Sequence, residues 1–97
     1  MSNLQSYESI IVGYWKVVGN GVQADSNCSR IDDLVTNYLI EIGRDFSGWE
    51  ILYRDPADGR LWELTYPHGD MHGGGPPTLR QISIDSAQEK YRNASTT

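Results

Sequence analysis

The groups best suited to chemistry in this chain lie close together between Pro67 and Pro77, where His68, Asp70 and His72 follow a His-x-Asp-x-His spacing. Two imidazoles and a carboxylate form a ligand set that leaves positions open on a divalent metal. A small metal-binding or hydrolytic domain using His68, Asp70 and His72 is therefore one reading. Working ligand sets, however, are held by rigid elements, and this segment also contains Gly69, Gly73, Gly74, Gly75 and three prolines. Such a composition makes neither helix nor central strand. A competing role for His72 is to hydrogen-bond the loop's own amides, with His68 in solvent. The spacing assigns no metal and no cofactor.

Other reactive groups are weaker still. The glycine run lacks a following Lys-Ser/Thr and leads through Pro76 and Pro77 to a strand, so it makes a poor phosphate cradle. Cys28 is the single cysteine, which excludes an internal disulfide, and Asp25, Asp32 and Asp33 beside it oppose thiolate formation. Glu50 and Glu63 either face one another across a hairpin or pair with Arg54, Arg60 or Arg80. No catalytic set emerges, and the chain reads as a non-enzyme.

The elements that must position these groups follow from periodicity. Ile10 to Val18 is β-branched and aromatic and reads as one strand ending at Gly19-Asn20-Gly21. Ile31, Leu34, Val35, Tyr38, Leu39 and Ile42 share one face of a 3.6-residue helix. Asp25, Ser26 and Ser29 are its candidate N-caps, Asp32 and Asp33 suit its first turn, and Gly43-Arg44 suits its end. Trp49 to Arg54 and Arg60 to Tyr66 alternate as strands, and Asp55-Pro56-Ala57-Asp58-Gly59 closes them into a hairpin. Both faces of the returning strand carry apolar residues, so both should be partly covered. Thr78 to Ile84 reads as a further strand, and Asp85 caps a short helix through Tyr91. The expected fold is α+β: one long helix packed on a small antiparallel sheet of about four strands, with a short C-terminal helix. The chain reads as a single domain over 1–97, loose at 1–6 and 93–97.

Length and charge narrow the function. Ninety-seven residues allow one modest core, and 38% apolar against 22% charged residues is enough to fold. A net charge of −5 opposes nucleic acid as a ligand, because phosphate neutralisation needs the reverse balance. No stretch has the length of a membrane span or the pattern of an export signal, which points to a cytoplasmic protein. Trp15, Trp49, Trp62 and six tyrosines are a heavy aromatic load. Most should be core; one left exposed beside Asp or Glu would mark a protein-binding surface.

The run Ser47-Gly48-Trp49-Glu50-Ile51-Leu52-Tyr53-Arg54-Asp55-Pro56, then Asp58-Gly59-Arg60-Leu61-Trp62-Glu63-Leu64-Thr65-Tyr66-Pro67 and His72-Gly73-Gly74-Gly75-Pro76-Pro77, resembles the immunity protein 27 family of bacterial polymorphic toxin systems. The similarity extends from Trp15-Lys16 to Tyr91, takes in Cys28-x-Arg30-Ile31, and is densest from Trp49 to Leu79. It implies a non-enzymatic cytoplasmic antidote that binds and blocks a cognate secreted toxin domain; the free chain is expected to be a monomer or weak dimer. An acidic chain suits a basic toxin such as a nuclease. Two binding faces are candidates: the loop end of the sheet with Asp55, Asp58, Asp70 and His72, which is favoured, and the outer side of the long helix with Asp32, Asp33 and Glu41.

Overall fold

The computed structural model describes residues 4–67 and 75–91. Strand β1 (Ile10–Val12) is followed by a hairpin, β2 (Trp15–Val18) and β3 (Gly21–Ala24), and then by helix α1 (Ser26–Asn37). Strands β4 (Ile40–Arg44), β5 (Ile51–Arg54), β6 (Leu61–Thr65) and β7 (Thr78–Ile82) lead to helix α2 (Ile84–Lys90). The main sheet is antiparallel, in the order β1-β7-β6-β5-β4, and β2 pairs with β3 in a second sheet. The architecture is thus α+β as expected, with five strands plus two in place of about four.

The stretch expected as one strand breaks at Gly13. Its N–H donates to the Pro77 carbonyl at 2.9 Å, and a Cβ there would stand 2.6 Å from Cys28 Sγ. Only glycine allows this approach of β1, the start of α1 and Pro77, and the chain leaves the main sheet there. The hairpin it enters is exposed along both strands, Val17 at 81% and Val22 at 65% included.

Helix α1 begins where the caps placed it: Asp25 Oδ1 accepts the Cys28 N–H at 2.9 Å. Since the helix starts at Ser26, Asp32 and Asp33 fall in its second turn instead of its first. The helix also stops at Asn37, five residues short of the expected Ile42. Tyr38 leaves helical geometry at φ −127°, and residues 40–44 instead pair with β5, Ile40 opposite Arg54 and Glu41 opposite Tyr53. Tyr38-Leu39-Ile40-Glu41-Ile42 satisfies a helical stripe and a strand about equally, and the neighbouring β5 decides between them. A bulge between Glu41 and Gly43 adjusts the register. At the other end, Ser83 and not Asp85 caps α2, accepting the Ser86 N–H, and Asp85 lies in the first turn.

Both faces of β6 are covered. On one, Ile31, Leu34 and Leu39 pack with Ile11, Tyr53, Trp62, Leu64 and Leu79. Leu4, from the segment expected to be loose, is buried in the same cluster. On the other, Leu52, Ala87 and Tyr91 pack with Ile42, Leu61 and Ile82. Each fully buried large side chain contributes about 1.5–3 kcal/mol, which makes these two clusters the main source of stability.

Candidate functional site

The deepest charge cluster lies under α2. Glu63 is fully buried on β6. Its register partner Arg80 donates from Nε and Nη2 to Oε1 at 3.0 and 2.8 Å, and Tyr91 Oη donates to Oε2 at 2.8 Å. Lys90 Nζ lies 2.6 Å from the same Oε2 and also ion-pairs with Glu50. The two carboxylates weighed as a facing pair thus share one lysine. Burial alone pushes the Glu63 carboxyl up, but the bonds from Lys90, Tyr91 and Arg80 outweigh it and hold it below its ordinary value. Burial and the Glu63 bond push the Tyr91 phenol up. A carboxylate so saturated is poorly placed to exchange a proton near neutral pH; it pins α2 to the sheet. Arg80 is among the partners that the sequence offers Glu63, whereas Lys90 and Tyr91 reach it through the packing of α2, which no local pattern signals.

Cys28 is buried, with its thiol pushed up by burial and by Asp25, as its acidic neighbours suggested. A groove of about 550 Å³ runs beside Ile10, Val12, Tyr14, Thr65 and Thr78, with Glu50 and Arg80 also in its lining. Both of these charged groups are already paired, with Lys90 and Glu63.

Of the expected loop-end residues, Asp55 is corrected from a surface group to a buried one, 1% exposed. It accepts Tyr38 Oη at 2.6 Å and the Ala57 N–H at 2.8 Å, fastening the β5–β6 turn to the end of α1. That bond, with burial, pushes the Tyr38 phenol up to about 12. Asp58 stays partly exposed and accepts the Arg60 N–H and Nε at 3.0 and 2.7 Å. Arg60 in turn donates to the Gln5 and Glu8 carbonyls and lies over the Trp62 ring. His68, Asp70 and His72 fall outside the described residues.

On the second face, Asp32 and Asp33 are exposed on α1, and Asp33 accepts from Asn37 Nδ2. Glu41 is exposed on the edge strand β4 and pairs with Arg44. The surviving surface carboxylates therefore stand on three separate elements: Asp32 and Asp33 on α1, Glu41 on β4, and Asp58 in the β5–β6 turn.

The aromatic side chains separate clearly. Trp62 is core at 0% exposed, Trp15 is 37% exposed, and Trp49 is 72% exposed. Trp49 lies in the β4–β5 turn with Phe46, whose side chain is wholly in solvent. Asp45 organises that turn: its Oδ1 accepts from Ser47 Oγ at 2.7 Å, the Gly48 N–H at 3.0 Å and the Glu50 N–H at 3.2 Å. Burial pushes the Asp45 carboxyl up, but these three donors outweigh it and bring it below its ordinary value. Phe46 and Asp45 were missed, although the adjacent pairs Asp45-Phe46 and Trp49-Glu50 meet the criterion of an aromatic beside an acid.

Among the described residues, no group of three or more His, Cys, Asp or Glu is placed to hold a metal ion, and no helix is long and apolar enough to cross a membrane. Residues 17–83 match the family model described as Immunity protein 27. No curated protein and no solved structure matches the chain.

Proposed function

The chain belongs to the immunity protein 27 family, and from that premise we propose that it is a cytoplasmic antidote that binds a cognate secreted toxin domain and occludes it without catalysis. The observation that carries this is the family match across residues 17–83. The site chemistry is consistent with it. Glu50 and Glu63 are committed to Lys90, Asp55 to its own turn, and the Cys28 thiol is buried with its ionisation opposed.

The net charge of −5 favours a basic toxin, of which a nuclease is the leading case. Asp32 and Asp33 on α1 and Asp85 and Glu89 on α2 are exposed carboxylates able to steer such a partner, together with Glu41 and Asp58, which are ion-paired with Arg44 and Arg60. Spread over several elements, they act mainly on the rate of encounter, since exposed ion pairs contribute little affinity individually. The test is co-expression with the toxin domain encoded beside this chain, scoring complex formation and growth with and without the chain. A stable complex and restored growth are expected; growth arrest undiminished by the chain, with no complex, would overturn the reading. If the charge argument holds, the association rate falls several-fold between low and physiological salt.

A further inference from the structure

Resting on the reading of the chain as a toxin inhibitor, we propose that the β4–β5 turn is its docking anchor, with Phe46 and Trp49 entering an apolar pocket on a basic toxin domain. Phe46 is the chain's single phenylalanine, and it is displayed entirely to solvent beside a Trp that is 72% exposed. Large aromatic groups held outward by a small protein leave water favourably only when something covers them.

The turn is built to present them. Asp45 accepts three donors, its amide bonds the Glu50 carbonyl at 2.9 Å, and the Trp49 N–H bonds Ser47 Oγ at 3.1 Å. Gly48 supplies the φ of +79° that this path needs. The Trp49 ring also rests edge-on against Tyr66, with centroids 6.4 Å apart. An anchor ordered before contact loses little conformational entropy when it binds, which is how a small surface reaches high affinity.

The charge around the turn identifies the partner's sign. In space Arg44 pairs with Glu41 and Lys90 with Glu50, so it is Asp45 that leaves the turn with a small net negative charge, in keeping with the sign of the whole chain. A second copy of a chain with net charge −5 is repelled at this surface, whereas a domain with Lys or Arg around an apolar pocket is attracted. Position agrees, since β4 is an edge strand of the main sheet. The exposed β2–β3 hairpin is a poorer anchor: its most exposed apolar side chains are valines, which are under-represented among residues that dominate binding energy, and its Trp15 is 37% exposed against 72% for Trp49.

The experiment measures binding of the toxin domain to the wild-type chain and to Phe46→Ala/Trp49→Ala, with Val17→Ser/Val22→Ser as the control surface. The double aromatic variant is expected to lose at least about a hundredfold in affinity and the valine variant less than about threefold, both with near-native circular dichroism. Hydroxyl-radical footprinting of the wild-type complex supplies a readout that needs no variant: Phe46 and Trp49 lose labelling while Val17 and Val22 keep it. Unchanged affinity in the aromatic variant, or undiminished labelling of Phe46 and Trp49 in a formed complex, overturns the anchor and leaves the inhibitor reading standing. A wild-type chain that does not bind the toxin overturns the inhibitor reading, and the anchor with it. Concentration-dependent dimerisation abolished by Phe46→Ala/Trp49→Ala assigns the turn to a second copy and also overturns the anchor.

Discussion

In the β4–β5 connection, the Asp45 amide bonds the Glu50 carbonyl and its carboxylate gathers Ser47, Gly48 and Glu50; in the β5–β6 connection, the Asp55 amide bonds the Arg60 carbonyl and its carboxylate takes Ala57 and Tyr38. Each carries a glycine at φ +79°, Gly48 in one and Gly59 in the other. The local chemistry is nearly the same, yet Asp55 is buried and Asp45 only partly so. What separates them is a neighbour. Tyr38, at the end of α1, donates to Asp55 itself and closes that turn against the body, while at the other turn α2 reaches Glu50 through Lys90 and leaves Phe46 and Trp49 in solvent. A turn's internal hydrogen bonds set its shape; the elements packed on it decide whether it is scaffold or display.

The widest separation is expected on removing the two aspartates. Asp55→Ala strips a buried acceptor from the Tyr38 hydroxyl and the Ala57 amide and should cost about 3 kcal/mol, whereas at Asp45→Ala water replaces the lost acceptor and the cost is about 1 kcal/mol. Urea denaturation of both variants measures this, and equal costs would mean that burial by Tyr38 contributes nothing. The glycines should behave alike. Neither has a heavy atom within 4 Å of where a Cβ would stand, so Gly48→Ala and Gly59→Ala each cost only the backbone strain of positive φ, about 1 kcal/mol. A much larger loss at Gly59 would reveal a packing constraint at the second turn alone.

Acid should loosen the exposed turn. A carboxyl held lower in the folded state than in the unfolded one adds stability above its unfolded value and loses that contribution as pH falls through its folded value. Asp45 follows this direction from an ordinary value of 3.8, and Glu63 from 4.5. Glu8, chiefly through its bond from Arg30 and against the effect of burial, is lowered from 4.5 to about 2, so its contribution is lost across that interval. An NMR titration should show the Gly48 and Glu50 amides shifting together, below the ordinary aspartate value, as Asp45 protonates; amides that titrate with different midpoints would mean its carboxylate does not hold the turn. The smallest stability effect belongs to the displayed rings. Phe46→Ala should change the thermal midpoint by less than the equivalent of about 0.5 kcal/mol, and Trp49→Ala, which gives up its edge contact with Tyr66, by about 1 kcal/mol at most. A large loss at either ring would make it a packing residue and bring the two turns closer in kind.

Much of the molecule is legible in the order of its residues. Local rules suffice for the Asp55–Gly59 hairpin, for Asp25 as the cap of α1, and for the α+β class, because turn chemistry, side-chain capping and strand alternation act over a few residues. The motifs from Trp49 to Leu79 carry the family resemblance. Other features depend on partners distant in sequence. The stripe from Ile31 to Ile42 serves helix and strand alike, and β5 ends the helix at Asn37 by offering a strand to pair with. Gly13 divides the first strand only because Cys28 and Pro77 converge on it. Composition gives Trp15, Trp49 and Trp62 the same standing; packing sends Trp62 to the core and Trp49 to the surface. Glu63 could be assigned a partner from strand register, in Arg80, but Lys90 and Tyr91 reach it only once α2 lies across the sheet. A hydrogen bond or a turn spans a few residues, whereas burial is a property of the whole surface, and so the chemistry of each side chain was local but its role was settled in three dimensions.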